Sequence, residues 1–263
     1  MTSALRISAV LLLGATAAPA ARLTLTATRA FEAYVAGVET RLRRQQGPQI
    51  SARQLVPGAV RIDAVNGGTW GVDGGLLHHW RAAAFVPDAT PEDMLALLRD
   101  FNHLAGYYSP ELVSSHLITG SDGDATVAMR FRKRQIITVI LDTEFEVQSG
   151  LAGPRRGYSF SRSTHIWQVD QPGTARERRR AEGTGDGFLW RLNSYWSFEE
   201  VRGGLIVECE AVSLTRDVPA GLGWMITPII ESLPRSSLEF TLTATKNALV
   251  ENAMRRHNDD RRN

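Results

Sequence analysis

Cysteine is nearly absent from this chain of 263 residues. Cys209 stands alone, so no intramolecular disulfide is available and the fold has to be held by its core. Lysine is as scarce, with Lys133 and Lys246 the only two, so arginine carries almost all of the positive charge. Neither sign dominates. Lys and Arg number 30 against 28 Asp and Glu, and a net charge of +2 gives no electrostatic reason to expect a nucleic acid partner. No CxxC, HExxH, nucleophile elbow or phosphate-binding Gly-rich loop is present, so neither a metal nor a cofactor is expected. The apolar run from about Val10 to Ala15 is too short to span a bilayer comfortably. With Arg6 before it and Ala18-Pro19-Ala20 after it, that run predicts a secretory signal over residues 1–20 and an exported, periplasmic or secreted protein. A retained anchor is the alternative.

What is present is an ordinary globular composition. Hydrophobic residues make up 43%, enough for a sizeable core in one large domain with an N-terminal extension. Phe31, Tyr34, Val35, Val38 and Leu42 fall at helical spacing and predict a helix over 26–45, stopped by Gly47-Pro48. The next thirty residues are rich in Gly, Pro and Asn and read as an extended connection with a few short strands, so 21–75 is expected to be a helix and an extended arm packed on a main domain. Thr90-Pro91-Glu92-Asp93 reads as an N-cap, a proline at the first helical position and an acid at the third. A second short helical piece is expected over 101–107.

From Ser109 the apolar period changes from helical to two. With a strand at 76–86, seven strands are predicted, the other six at about 113–118, 125–132, 136–147, 158–169, 188–200 and 205–216. A tight turn at Arg202-Gly203 would pair Phe198 with Val207, Trp196 with Cys209, Ser194 with Ala211, Leu192 with Ser213 and Trp190 with Thr215. That set is apolar or small. Arg191, Asn193, Tyr195, Glu208 and Glu210 fall on the other face, so one dry and one wet face are expected. Beyond the last strand, Leu238, Leu242, Thr245 and Leu249 form one stripe of a long amphipathic helix opening at Pro234. Pro219, Gly221, Gly223 and Pro228 predict a broken, lid-like segment before it, and 257–263 a polar tail.

Two stretches, TPEDMLALLRDFNHLAGYYSPELVSSHLI (90–118) and VECEAVSLTRDVPAGLGWMITPIIESLPRSSLEFTL (207–242), carry a resemblance to the START-like superfamily. That group includes polyketide cyclases, Bet v 1-type allergens and START lipid-transfer domains. The resemblance covers about 76–256. It implies an α+β helix-grip fold, in which a curved antiparallel sheet wraps round a C-terminal helix. Between them it implies an apolar cavity for a lipid or other hydrophobic small molecule.

Candidate cavity-lining residues are then Trp190, Leu192, Trp196, Phe198, Cys209, Trp224, Met225, Leu238 and Leu242. Arg191, Tyr195 and Glu210 share a face at neighbouring hairpin positions. They are either an acid–base group inside a pocket, as a cyclase or aromatase would need, or a cross-strand polar cluster outside it. His78 and His79 are adjacent on a strand and point to opposite faces, which excludes convergence on one metal ion. Cys209 belongs to the dry face and its glutamate neighbours to the other, the pattern of an inert buried thiol. The run Arg176, Arg178, Arg179 and Arg180 is either a solvated loop or a contact for anionic headgroups at a membrane surface. The expected role is a non-enzymatic carrier. The alternatives are a cyclase-type enzyme in the same cavity, or an interaction module that presents an exposed apolar stripe on the 26–45 helix.

Overall fold

The computed structural model describes residues 21–260 apart from 46, 122, 135–137 and 218–222, with side chains from 22 to 256 except 223–231. Its framework is one antiparallel sheet. Seven long strands match the predicted ones: β3 (Gly75–Pro87), β4 (Leu112–Gly120), β5 (Asp124–Arg134), β6 (Thr138–Leu151), β7 (Arg156–Asp170), β10 (Arg191–Val201) and β11 (Gly204–Thr215). An eighth, β2 (Arg61–Val72), lies in the stretch expected to be an extended arm. The remaining strands are two residues long: β1 (Ala21–Arg22) pairs with β9 (Thr184–Gly185), and β8 (Arg178–Arg179) pairs with β7. Across the sheet the order is β2-β3-β11-β10-β7-β6-β5-β4.

Short strands were expected here, and the length of this one was hidden by its own bulge. Asn66, Gly67 and Gly68 read as a loop, yet they are the positions where β2 slips register between Ala64 and Thr69, all three at positive φ. A side chain at Gly68 would also collide with Trp80, its Cβ falling 2.6 Å from the indole ring. Glycine is required there by both conformation and space.

Helix α2 (Pro91–Arg99) starts as its sequence dictates. The Thr90 hydroxyl accepts from the Asp93 amide at 3.2 Å, and the Asp93 carboxylate accepts from the Thr90 amide at 2.7 Å. Helix α3 (Leu104–Tyr107) is the short second piece. The C-terminal helix α4 differs from expectation, running without a break from Gly223 to Asp260 with Pro228 and Pro234 inside it. Proline's fixed φ suits a helix and each ring removes only one amide donor, so two of them did not end it. Most of the proposed lid segment, including Trp224 and Met225, lies outside the side chains described.

The predicted stripe of α4 is fully used. Leu238, Leu242, Thr245 and Leu249 are all buried. The three leucines share one core cluster with Ala82 and Ala84 of β3, Val207 of β11 and Met94 of α2. The alanines of β3 let the helix backbone come close, which seats the C-terminal half of α4 firmly on that side of the sheet.

The opposite face of the sheet corrects the expectation of a wet surface. Helix α1 (Leu25–Gln45) lies over it with Ala27, Phe31, Val38 and Leu42 buried. Beneath, Phe160, Tyr195, Val212 and Leu214 complete a second core. The apolar stripe of α1 is therefore internal, which removes the exposed surface that an interaction module would have offered.

Candidate functional site

Between the first half of α4 and strands β5, β6, β7 and β10 the sheet is not filled. A cavity of about 660 Å³ lies there, within the range that takes one small ligand. Its cause is legible in the register. Ser161 of β7 faces Ser194 of β10, which faces Ala211 of β11, so a row of small side chains forms the floor. Ser159 and Ser213 extend it. The walls are apolar, with Phe101, Leu104, Met129, Phe131, Phe145 and Leu141 prominent among them.

Leu192, Trp196, Cys209 and Leu238, all named from the sequence, line the cavity. Phe198 and Leu242 do not. They are fully buried in the packed cluster beside it. Trp190 is also misplaced by the sequence: it belongs to the core under α1 and not to the cavity. The alternation failed there because β10 starts at Arg191, leaving Trp190 in the preceding bend with its amide donating to the Leu214 carbonyl at 2.8 Å. Burial pushes the Cys209 thiol well up, with Glu210 and Glu208 adding to it, so the sulfur is a small apolar contact and not a nucleophile.

Among the charged residues that line the cavity is a pair that the sequence did not single out. Lys133, near the end of β5, meets Glu111, just before β4, and both line the hollow. Burial pulls the Lys133 ammonium down and the Glu111 carboxylate partly restores it. A lysine falling on the inward period of β5, after Val127, Met129 and Phe131, is the signal that would have found it. Tyr108 is another polar wall residue, its hydroxyl 2.9 Å from that of Thr245, and Asp186 and Arg216 also border the space.

The acid–base candidates stand elsewhere. Glu210 and Tyr195 are opposite one another in the β10–β11 ladder but face α1, on the far side of the sheet from the cavity. Around Glu210, Arg41 of α1 donates at 2.5 Å, His79 Nε2 at 2.8 Å and Arg81 Nε at 3.1 Å. Burial alone would raise this carboxyl, but the bonds from His79 and Arg41 and the charge of Arg81 hold it down at about 2. Glu208 beside it has weaker help, the Gln49 amide at 3.2 Å, and burial wins and raises it. Tyr195 donates to Glu39 of α1 at 3.1 Å, and Glu39 is also gripped by Arg162 at 2.6 Å. Arg191 joins neither group and reaches Glu182 at 3.4 Å. Of the two readings, the polar cluster outside the cavity holds for Tyr195 and Glu210, which clamp α1, while Arg191 stands apart in a surface ion pair.

The histidines behave as their alternation requires. His79 turns to Tyr34 and Glu210, whereas His78 turns the other way, between Thr69 at 2.9 Å and Thr215 at 2.9 Å. Burial lowers His78 to about 4. Among the described residues no three His, Cys or carboxylate groups gather as metal ligands. In the arginine run, Arg179 pairs with Asp142 at 2.8 Å and lies over Trp167, while Arg178 and Arg180 share Asp170. Those three guanidinium groups are engaged within the fold.

No family model matches the sequence, and no curated protein does. Solved structures are similar in fold at low identity. The human StarD13 (DLC2) lipid transfer and protein localization domain aligns over 82% of this chain and 95% of its own, at 11% identity and a TM-score of 0.48. A STAR-related lipid transfer protein from Xanthomonas axonopodis covers 69% of this chain and 98% of its own, at 16% identity and 0.43. The Zhui aromatase/cyclase from Streptomyces sp. R1128 covers 68% and 95%, at 14% identity and 0.44.

Proposed function

We propose that this chain is a carrier that encloses a lipid or other apolar small molecule between its sheet and α4. The observation that supports it most is the hollow itself. About 660 Å³ of largely apolar space stands open over a floor of serine and alanine, where ordinary leucines would have closed it. Transfer of an apolar ligand out of water into such a space is favoured by about 25 cal/mol for each Å² it hides. The Lys133–Glu111 pair gives the chamber a polar spot, suited to a hydroxyl or amide on an otherwise greasy molecule. No acid–base group drawn from Arg191, Tyr195 and Glu210 faces this space, which favours carriage over cyclase-type chemistry.

The proposal extends to the protein's address. Arg6, the apolar run after it and Ala18-Pro19-Ala20 support export with cleavage before Ala21. An intact mass beginning at Ala21 in the secreted or periplasmic fraction is the expected result, and a cytoplasmic chain retaining Met1 would contradict it. For the ligand, mass spectrometry of organic extracts from the purified protein should find one co-purifying apolar species. Extracts matching those of a solid-cored control protein would count against carriage.

A further inference from the structure

The cavity shares a wall with a second hollow. On the outer side of the seam between α3 and α4 lies an open groove of about 320 Å³. Gly106, Tyr107 and Ser109 border it on one side, and Thr243, Ala244 and Asn247 of α4 on the other. Phe240 borders both the groove and the inner cavity. Its neighbours divide cleanly, with Leu104, Tyr108 and Thr241 facing inward and Gly106, Tyr107 and Thr243 facing out.

The two sides of this partition differ in how firmly they are held. The α3 side is tied down: Tyr108 is hydrogen-bonded to Thr245 at 2.9 Å, Tyr107 donates to Asp100 at 2.9 Å, and the Ala105 amide donates to Ser115 at 3.3 Å. Phe240 has an apolar ring with nothing to donate or accept, and it is partly exposed. Side chains at such positions change rotamer in picoseconds to nanoseconds, whereas displacing α3 would break three hydrogen bonds. The small residues Gly106, Ala244 and Ala248 leave room beside it.

We propose that ligand passes between solvent and cavity through this groove, with the Phe240 side chain as the gate. The inference rests on the carrier function proposed above. Gly106 supplies an independent handle, because a Cβ added there meets nothing within 4 Å. Gly106→Leu therefore fills the groove without touching the cavity, and Phe240→Ala removes the gate.

The test is stopped-flow mixing of the purified chain with N-phenyl-1-naphthylamine, an uncharged apolar fluorophore. Phe240→Ala should raise the association and dissociation rates together by about tenfold, and Gly106→Leu should lower both by about tenfold. In Gly106→Leu the Kd should stay within about twofold, since filling the groove changes the path and not the end states. Phe240 also borders the cavity, so its variant is read by the rise in both rates. Wild-type rates in Gly106→Leu, with binding intact, would overturn the gate and leave carriage standing. A wild-type chain that takes up no fluorophore would remove the carrier function, and the gate with it.

Discussion

Two neighbouring rows of the same sheet have opposite fates. Ser161, Ser194 and Ala211 lie side by side across β7, β10 and β11 and have a hollow above them. One residue along, Phe160, Tyr195, Glu210 and Arg81 form the next row across β7, β10, β11 and β3, and they are packed under α1. The period of two sends the first row to the concave face and the second to the convex one. The face with the more polar residues is the one that is densely packed, because α1 brings Arg41 and Glu39 to meet their charges. The face that reads as dry is open because its middle side chains are short. Polarity therefore did not mark the solvent side here, and apolar character did not mark a filled core.

The sharpest way to break that contrast is at the contact that seats α4. Leu242→Asp places an unpaired carboxylate where burial is complete, and should cost at least about 4 kcal/mol, enough to unfold the domain in a urea titration. On the convex side, Glu210→Ala leaves Arg81, Arg41 and His79 without their shared acceptor. A loss of about 3 kcal/mol is expected in the same titration, with fluorophore affinity unchanged because the cavity is on the other face.

Acid should expose the same clamp. Glu210 and Glu39 both sit below their ordinary values in the fold, so each contributes stability that is complete above the usual carboxylate range. For Glu210 that stability is lost as the pH falls from about 4.5 towards about 2. Glu208, raised by burial, acts in the opposite sense, and its gain on acidification comes above about 4.5, before that loss begins. Melting temperature against pH should therefore fall more steeply in this window for the wild type than for Glu210→Ala. Parallel curves would remove Glu210 from the clamp. The smallest effect is expected for Arg191→Ala, which removes only a surface pair with Glu182 and should shift stability by less than about 1 kcal/mol.

The sequence revealed local order well and the relation between layers poorly. The register of β10 against β11, the Thr90–Asp93 cap and the buried stripe of α4 were all legible, because each is set by residues close in the chain or by one strict period. Trp190 was lost because the period was extended past the start of the strand. The length of β2 was missed, only short strands being expected there, because a bulge and a loop use the same Asn and Gly residues. Two things were beyond local pattern. One is that α1 covers the convex face, since nothing near Glu210 in sequence announces Arg41. The other is the emptiness of the concave face, which needs the Ser161–Ser194 pairing across strands before the short side chains are seen to align. Ser194 and Ala211 alone, paired from the sequence, were half of that signal.

The row that makes the hollow is also the place to test it. Ser194→Leu adds a side chain over the cavity floor, and because it enters open space it should change stability by less than about 1.5 kcal/mol. Equilibrium titration with N-phenyl-1-naphthylamine should then give saturable one-to-one binding in the wild type and at least about tenfold weaker binding in Ser194→Leu. Equal affinity in the two proteins would contradict a ligand site over this row.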